Sequence, residues 1–164
     1  MYNQNFASSE DIYNYGEIGV RLQQRFDIDN KGTFNYNIKA GTFFEADDIA
    51  FVDYKHFNGN QTHVNMNFNY TNSFNLMPYY SFSTNQSYAE FHAEHNFNGY
   101  LLNKIPLINK LGFELVLGAK SLIRKDEKPY SELSIGLNNI GIGKLRFLRL
   151  DYVKSNYNGV SQNG

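Results

Sequence analysis

Apolar and polar residues alternate with a period of two along much of the chain, which is the pattern of β-strands whose two faces meet different surroundings. The alternation is clearest over residues 89–97, where apolar or small side chains fall on one side and mostly polar ones on the other. An aromatic, apolar stretch precedes it at residues 74–83, and a polar turn at residues 84–87 joins the two. We therefore predict a β-hairpin over residues 74–97, and further runs of the same kind along the chain.

The other alternating runs extend this hairpin to an antiparallel meander of about eight strands, with short turns on one side and longer loops on the other. The additional strands are predicted at residues 17–28, 34–44, 64–70, 113–119, 130–137 and 147–152. Predicted connections are a tight turn at residues 29–32, a long external loop at 45–61, an interfacial segment at 101–111, a charged connection at 121–129 and a glycine-rich turn at 138–143. The first two runs are as long as the roughly 9–11 residues of a tilted membrane strand.

Composition narrows the class of protein. The 164 residues correspond to one domain or part of one, and the net charge of -1 with 19% charged residues argues against binding to nucleic acid or to anionic lipid. Without cysteine there is neither a disulfide framework nor a thiolate metal site. A mean hydropathy of -0.52, without a long apolar run, excludes a helical membrane protein. It leaves open a β-barrel, whose strands alternate lipid-facing and lumen-facing residues.

A soluble barrel or sandwich would show the same alternation, so the choice rests on the polar positions. These are rich in Asn, Gln and Ser with scattered charge, which favours a water-filled lumen over a soluble surface. Lipid would then meet the opposite set, which includes Ile18, Val20, Leu22, Phe34, Tyr36 and Ile38. On this hypothesis Ile38→Arg would cost roughly 2–4 kcal/mol near the midplane, and Asn37→Arg would be nearly neutral.

Candidate chemical sites are few, and each has a simpler interpretation. Glu90, His92 and Glu94 share a strand face and could bind a metal, but a hydrated wall explains them as well. His92 and His95 are three apart and point to opposite faces, so they do not form a zinc site, and His95 is expected near the rim. The last candidates are Asp47, Asp48 and Asp53, which lack calcium-loop spacing, and residues 141–143, which lack the context of a phosphate loop. We predict no catalytic, cofactor-binding or metal-binding residues.

Five segments in order resemble a Bacteroidota family of uncharacterised outer-membrane proteins. They are VDYKHFNGNQT from Val52, FNLMPYYSFSTN from Phe74, AEFHAEHNFNG from Ala89, LLNKIPLINKL from Leu101 and YSELSIGLNNI from Tyr130. The resemblance implies a carboxypeptidase-regulatory-like domain at the N-terminus of such proteins and a C-terminal barrel distantly similar to the BamA/TamA assembly type. It implies that residues 1–164 are a partial barrel, with strands over about 15–155, polar tails and unpaired edges at 17–28 and 145–154. Such a piece is not expected to seal by itself.

The expected function is therefore non-enzymatic and located in the outer membrane of a Gram-negative bacterium. Two roles stay open: assembly or translocation of outer-membrane or surface components, and anchoring of a periplasmic domain. The expected partners are outer-membrane lipid, the remaining strands of a larger barrel and the outer-membrane assembly machinery, without nucleic acid. The alternatives are a soluble ligand-binding β-barrel and a barrel-borne hydrolase.

Overall fold

A single antiparallel sheet organises the chain. The computed structural model describes residues 2–6, 12–60 and 70–164, with side chains from Tyr15 onward. Eight strands follow one another in sequence order: β1 Tyr2–Phe6, β2 Ile12–Asp27, β3 Thr33–Phe44, β4 Tyr88–Asn96, β5 Glu114–Arg124, β6 Tyr130–Ile142, β7 Leu145–Tyr157 and β8 Val160–Asn163. The prediction of an all-β antiparallel meander of about eight strands is confirmed. Within the described residues β1 and β8 are not paired with each other, so the sheet is open, as a part of a barrel would be.

Over residues 2–6, 12–60 and 70–164, helical structure is limited to four short 3-10 helices, at Asp29–Lys31, Phe51–Asp53, Leu102–Lys104 and Ile108–Leu111. No helix in the described part of the chain is long and apolar enough to cross a membrane. The last two helices lie in the predicted interfacial segment, so that segment contains short turns of helix in place of a long one. Pro106 lies between them and cannot continue a helix.

The turn between β2 and β3 confirms the hairpin predicted at residues 29–32. Phe26 pairs with Phe34 across it. Gly32 has φ +114°, and a Cβ at this position would lie 2.0 Å from the carbonyl oxygen of Asn96 on the neighbouring strand. Only glycine fits this backbone conformation and this close approach.

The two faces of the sheet have opposite character, as the alternation predicts. On one face, apolar side chains are exposed, for example Val20 at 69% and Leu150 at 70%. On the other face, polar residues such as Asn37 and Glu132 are buried, at 0% and 1% exposure. We call these the apolar face and the polar face. A soluble sheet normally shows the reverse arrangement, with its apolar face covered.

The exposed apolar residues form a zone that crosses the hydrogen-bonded rows of the sheet obliquely. In the row of Ile38, Leu22 and Phe91 on the flanking strands are apolar, whereas the residues on the next three strands are Ser121, Ser131 and Asn156. On β7 the apolar run lies further towards the β6–β7 turn and has Leu150 at its centre. Ile123, at the far end of β5, lies outside the zone.

The predicted strand at residues 74–83 is wrong, and with it the hairpin over residues 74–97. Strand β4 pairs with β3 and β5, and residues 74–83 are irregular chain. Their apolar side chains are accounted for by packing, since Phe74 and Met77 are 0% and 1% exposed. The strand predicted at 64–70 lies almost wholly outside the described residues, and Tyr70 itself is in a turn.

Three further boundaries differ from the predictions. Strand β5 continues to Arg124, so the charged connection is only residues 125–129. The glycine-rich stretch 138–143 belongs mostly to β6, where the register shifts in a bulge between Leu137 and Gly141, because glycine tolerates the close approach of β7 there. Strands β1 and β8 lie where polar tails were predicted, so the sheet does not end at 17–28 and 145–154.

Candidate functional site: a segment held against the polar face

The connection between β3 and β4 folds back over the polar face of the sheet. Phe57, Phe74, Met77 and Phe82 from this connection form the main hydrophobic cluster together with Tyr88, Leu122 and Tyr130 from β4, β5 and β6. We call residues 70–77 the inner segment, because they lie directly on the polar face. This placement differs from the strand predicted at residues 74–83, whereas residues 45–60 lie in no strand, as predicted for a loop.

Glu132 on β6 binds the backbone of the inner segment. Its carboxylate accepts hydrogen bonds from the backbone N–H groups of Asn75 at 2.7 Å and Leu76 at 2.8 Å. The Tyr130 hydroxyl donates to the same carboxylate at 2.7 Å. The two consecutive backbone N–H groups are thus satisfied by one buried side chain, without a partner strand.

Lys120 on β5 binds the neighbouring acceptors. Its ammonium group donates to the backbone oxygen of Ser73 at 2.7 Å and to the side-chain oxygen of Asn75 at 2.5 Å. Lys120 is only 7% exposed. Charged side chains of two adjacent strands therefore hold both donors and acceptors of the inner segment, and such hydrogen bonds are stronger than neutral ones.

Asn37 on β3 holds the start of the inner segment. Its amide nitrogen donates to the backbone oxygen of Thr71 at 2.8 Å and to the side-chain oxygen of Asn72 at 2.9 Å. Arg21 on β2 donates to the side-chain oxygens of both Asn37, at 3.0 Å, and Asn72, at 2.8 Å. The premise of a nearly neutral Asn37→Arg, a side chain that faces a hydrated lumen, is therefore wrong, because Asn37 is fully buried beneath this segment.

An aromatic contact holds the middle of the inner segment. The Phe74 ring lies 4.6 Å from the ring of His92 on β4. The Nε2 atom of His92 is 2.6 Å from a carboxylate oxygen of Glu90, which also accepts a hydrogen bond from Lys39 at 2.9 Å. Within the described residues the buried Nδ1 atom of His92 has no hydrogen-bond partner. The Lys39–Glu90 ion pair on the polar face thus positions the His92 imidazole against Phe74.

Arg149 on β7 completes the set of contacts. Its guanidinium lies 4.0 Å from the centre of the Tyr70 ring and is fixed by Glu94 at 2.8 Å and Asp151 at 2.7 Å. Burial raises the pKa of the Tyr70 phenol, and the nearby Arg149 opposes part of this shift. Tyr70 therefore stays neutral at physiological pH.

A polar cavity of about 390 Å³ remains beside the inner segment, on the side of the β2–β3 turn. Its lining includes Tyr70 and Arg149 together with Asn35, Asn96 and Asn138. The inner segment consequently divides the space over the polar face and does not fill it.

The sequence-predicted candidates fall in different places. Glu90 and His92 are in contact, but Glu94 pairs with Arg149 instead. The described residues contain no group of three or more His, Cys, Asp or Glu side chains able to hold a metal ion. His95 lies on the opposite face from His92 and contacts the backbone oxygen of Lys31 at 3.2 Å in the β2–β3 turn, as expected for a rim position.

The remaining candidates are dispersed. Asp47 and Asp48 are exposed, whereas Asp53 is half-buried in a 3-10 helix. Residues 141–143 belong to the end of β6 and the β6–β7 turn, so the prediction of a turn there holds only for Gly143.

Sequence reasoning missed Lys120, Glu132 and Arg149 as contact residues. The available signal was a charge between uncharged neighbours on the same strand face, as for Glu132 between Tyr130 and Ser134 and for Lys120 between Gly118 and Leu122. Arg149 has Asp151 beside it on its face and carried no such signal. We interpreted such positions as a hydrated wall, because alternation does not show what covers a face.

Comparison with family models places the chain in a family: it belongs to the family of unknown function DUF5686, and the match is to the C-terminal domain, over residues 1–137. The matched residues span β1 to most of β6. They include all the polar-face residues described above that contact the inner segment, except Arg149. This agrees with the resemblance to the C-terminal part of an uncharacterised family. No curated protein and no solved structure matches the chain.

Proposed function

We propose that this member of the DUF5686 family forms part of the wall of a β-barrel in the outer membrane of a Gram-negative bacterium, and that its role is non-enzymatic. In this proposal the apolar face meets lipid and the polar face meets the lumen. The remaining wall would come from other strands of a larger barrel, assembled by the outer-membrane machinery. A Bacteroidota source and an N-terminal carboxypeptidase-regulatory-like domain belong to the same proposal.

The observation that carries the proposal is the oblique course of the exposed apolar zone. The zone is centred on Leu22 in β2 and on Leu150 in β7. The hydrogen-bonded row that contains Leu22, however, reaches β7 at Asn156. Leu150 and Asn156 are six residues, or roughly 20 Å, apart along the strand, and five steps between strands span roughly 24 Å. A level apolar band thus requires strands tilted by roughly 40°, within the range of about 35–45° for membrane barrels.

The inner segment favours a role in controlled passage over a role as an open pore, because it occupies part of the space over the polar face. Side chains from β2 to β7 hold it by hydrogen bonds and ion-paired groups, and Phe74 and Met77 of the segment are buried in the hydrophobic cluster. The hydrogen bonds can be exchanged for water at a small net cost, so the burial of Phe74 and Met77 sets most of the cost of moving the segment. We therefore favour assembly or translocation of outer-membrane or surface components, with the inner segment as the part that moves.

The test is labelling of the larger barrel that contains this chain, in lipid vesicles, with a photoactivatable probe dissolved in the hydrocarbon. Ile18, Val20, Leu22 and Ile38 should be labelled, and Gln23 and Asn35 on the other face should not. Recovery of the chain in the aqueous phase without detergent, or equal labelling of both faces, would contradict the membrane proposal and favour a soluble ligand-binding barrel.

A further inference from the structure

The two ends of the sheet carry opposite charge. We define the turn end by the connections at residues 28–32, 97–113 and 143–144, and the loop end by those at 45–87, 125–129 and 158–159. The turn-end connections contain four basic residues and one acidic residue: Lys31, Lys104, Lys110, Lys144 and Asp29. The loop-end connections contain six acidic and three basic residues: Glu45, Asp47, Asp48, Asp53, Asp126, Glu127, Lys55, Lys125 and Lys128. The connections at the turn end are thus net positive and those at the loop end net negative. The net charge of -1, from which binding to anionic lipid was not expected, conceals this asymmetry.

The turn end also exposes apolar side chains. In the β4–β5 connection Ile105 is 44% exposed, Leu107 78% and Leu111 46%. Leu107 has φ +75°, a conformation that leucine rarely adopts. The connection is attached to the sheet at its end, where Asn139 donates to the backbone oxygen of Gly112 at 2.7 Å. Exposed apolar side chains next to exposed lysines are typical of segments at a membrane interface.

Aromatic side chains lie on the apolar face just above this end. The His95 ring lies 4.3 Å from that of Phe97 and 6.3 Å from that of Phe34. Phe26 and Tyr36 continue the row, with ring centres 5.9 Å apart. Aromatic girdles of this kind mark the level of the headgroups in membrane barrels.

We propose that the turn end docks on a layer of anionic phospholipid headgroups. Ile105, Leu107 and Leu111 enter the boundary of the acyl chains, and the four lysines lie at the phosphates. The acidic loop end is repelled by such a layer, so the charge distribution also fixes the orientation of the protein. This inference rests on the proposed membrane function and adds its lipid partner.

The experiment uses the absence of native cysteine. The Leu107→Cys variant of the barrel that contains this chain is labelled with a polarity-sensitive fluorophore. It is placed in vesicles of phosphatidylcholine alone or of phosphatidylcholine with phosphatidylglycerol. We expect a blue shift with phosphatidylglycerol that added salt reverses, since each lysine near such a surface contributes about fivefold in affinity. Adding Lys104→Glu and Lys110→Glu should abolish the shift, and Lys125→Glu with Lys128→Glu at the loop end should leave it unchanged.

A shift that is equal in both vesicles, or that survives loss of Lys104 and Lys110, would overturn the headgroup inference. A second labelled variant, Leu150→Cys, separates this outcome from failure of the membrane proposal. Its probe should report an apolar environment in both kinds of vesicle. If it reports water, the membrane proposal itself fails, whereas an apolar signal with no phosphatidylglycerol response at residue 107 rejects only the lipid partner.

Discussion

Glu132 and Lys120 satisfy backbone groups of the inner segment, which lies in irregular chain and not in a strand. Their side chains are 1% and 7% exposed and supply an acceptor for two N–H groups and donors for a carbonyl and an amide oxygen. Burying such charges is costly unless they are paired with hydrogen-bonding groups. Here the inner segment provides those groups, so the stability of the segment and that of the wall charges depend on each other.

Replacing Glu132 with Ala should loosen the inner segment. The N–H groups of Asn75 and Leu76 lose a charged acceptor, and leaving a buried donor unpaired costs roughly 1–3 kcal/mol. Hydrogen exchange measured by mass spectrometry should show faster exchange in peptides covering residues 70–77, with the strands unchanged. Glu132→Gln retains one acceptor oxygen and should show a smaller effect.

The matched control is Glu127→Ala, in the exposed β5–β6 connection. It removes an equal charge and should leave exchange of the inner segment unchanged. If Glu132→Ala and Glu127→Ala give the same exchange pattern, Glu132 does not hold the segment.

The elements of the sheet could be predicted from the sequence because alternation reports a strand directly. Strands β3 and β4 follow their predicted ranges to within one residue, and β2 ends one residue before its predicted end but begins five residues before its predicted start. Residues 74–83 have a similar apolar content but lie in irregular chain, because side chains of the wall satisfy their backbone and the cluster around Phe74 buries them. The local pattern contains no information on these distant partners, so the inner segment could not be predicted.

Gly59 controls how closely the two halves of the β3–β4 connection approach each other. A Cβ at this position would lie 2.1 Å from the backbone oxygen of Met77, which also accepts a hydrogen bond from Asn60 N–H at 3.2 Å. Gly59→Ala should therefore separate the two halves at a cost of about 1–3 kcal/mol, as for other overpacked positions. Limited proteolysis should then cut within residues 70–82 before it cuts any strand.

Gly143→Ala is the control for this substitution, because a Cβ there meets nothing within 4 Å although φ is +60°. It should cost about 1 kcal/mol through backbone strain alone and leave cleavage within residues 70–82 unchanged. Equal cleavage in the two variants would show that the close approach at Gly59 does not hold the connection in place.

The molecule as a whole combines an oblique zone of exposed apolar residues with two ends, the turn end and the loop end, whose connections carry opposite net charge. Alternation predicts the two faces of each strand separately, and the band emerges only when the registers of β2 to β7 are known. The register places Leu22 and Asn156 in one row although lipid would meet only Leu22. In the membrane proposal, strand tilt places Leu22 and Asn156 at different depths, so the polar Asn156 does not interrupt the lipid-facing zone.

Tilt can be tested on a single strand. Leu150 and Asn156 are both exposed, on the same face of β7, but the oblique band places Leu150 near the midplane and Asn156 at the loop-end rim. Leu150→Arg should destabilise the vesicle-inserted protein by roughly 2–4 kcal/mol, and Asn156→Arg by roughly 0–1 kcal/mol, measured by urea unfolding in lipid vesicles. With untilted strands a row would lie at one depth, so Asn156→Arg would cost as much as a change at Leu22. Equal costs for the two arginine substitutions on β7 would therefore reject the tilted band and, with it, the observation on which the membrane proposal rests.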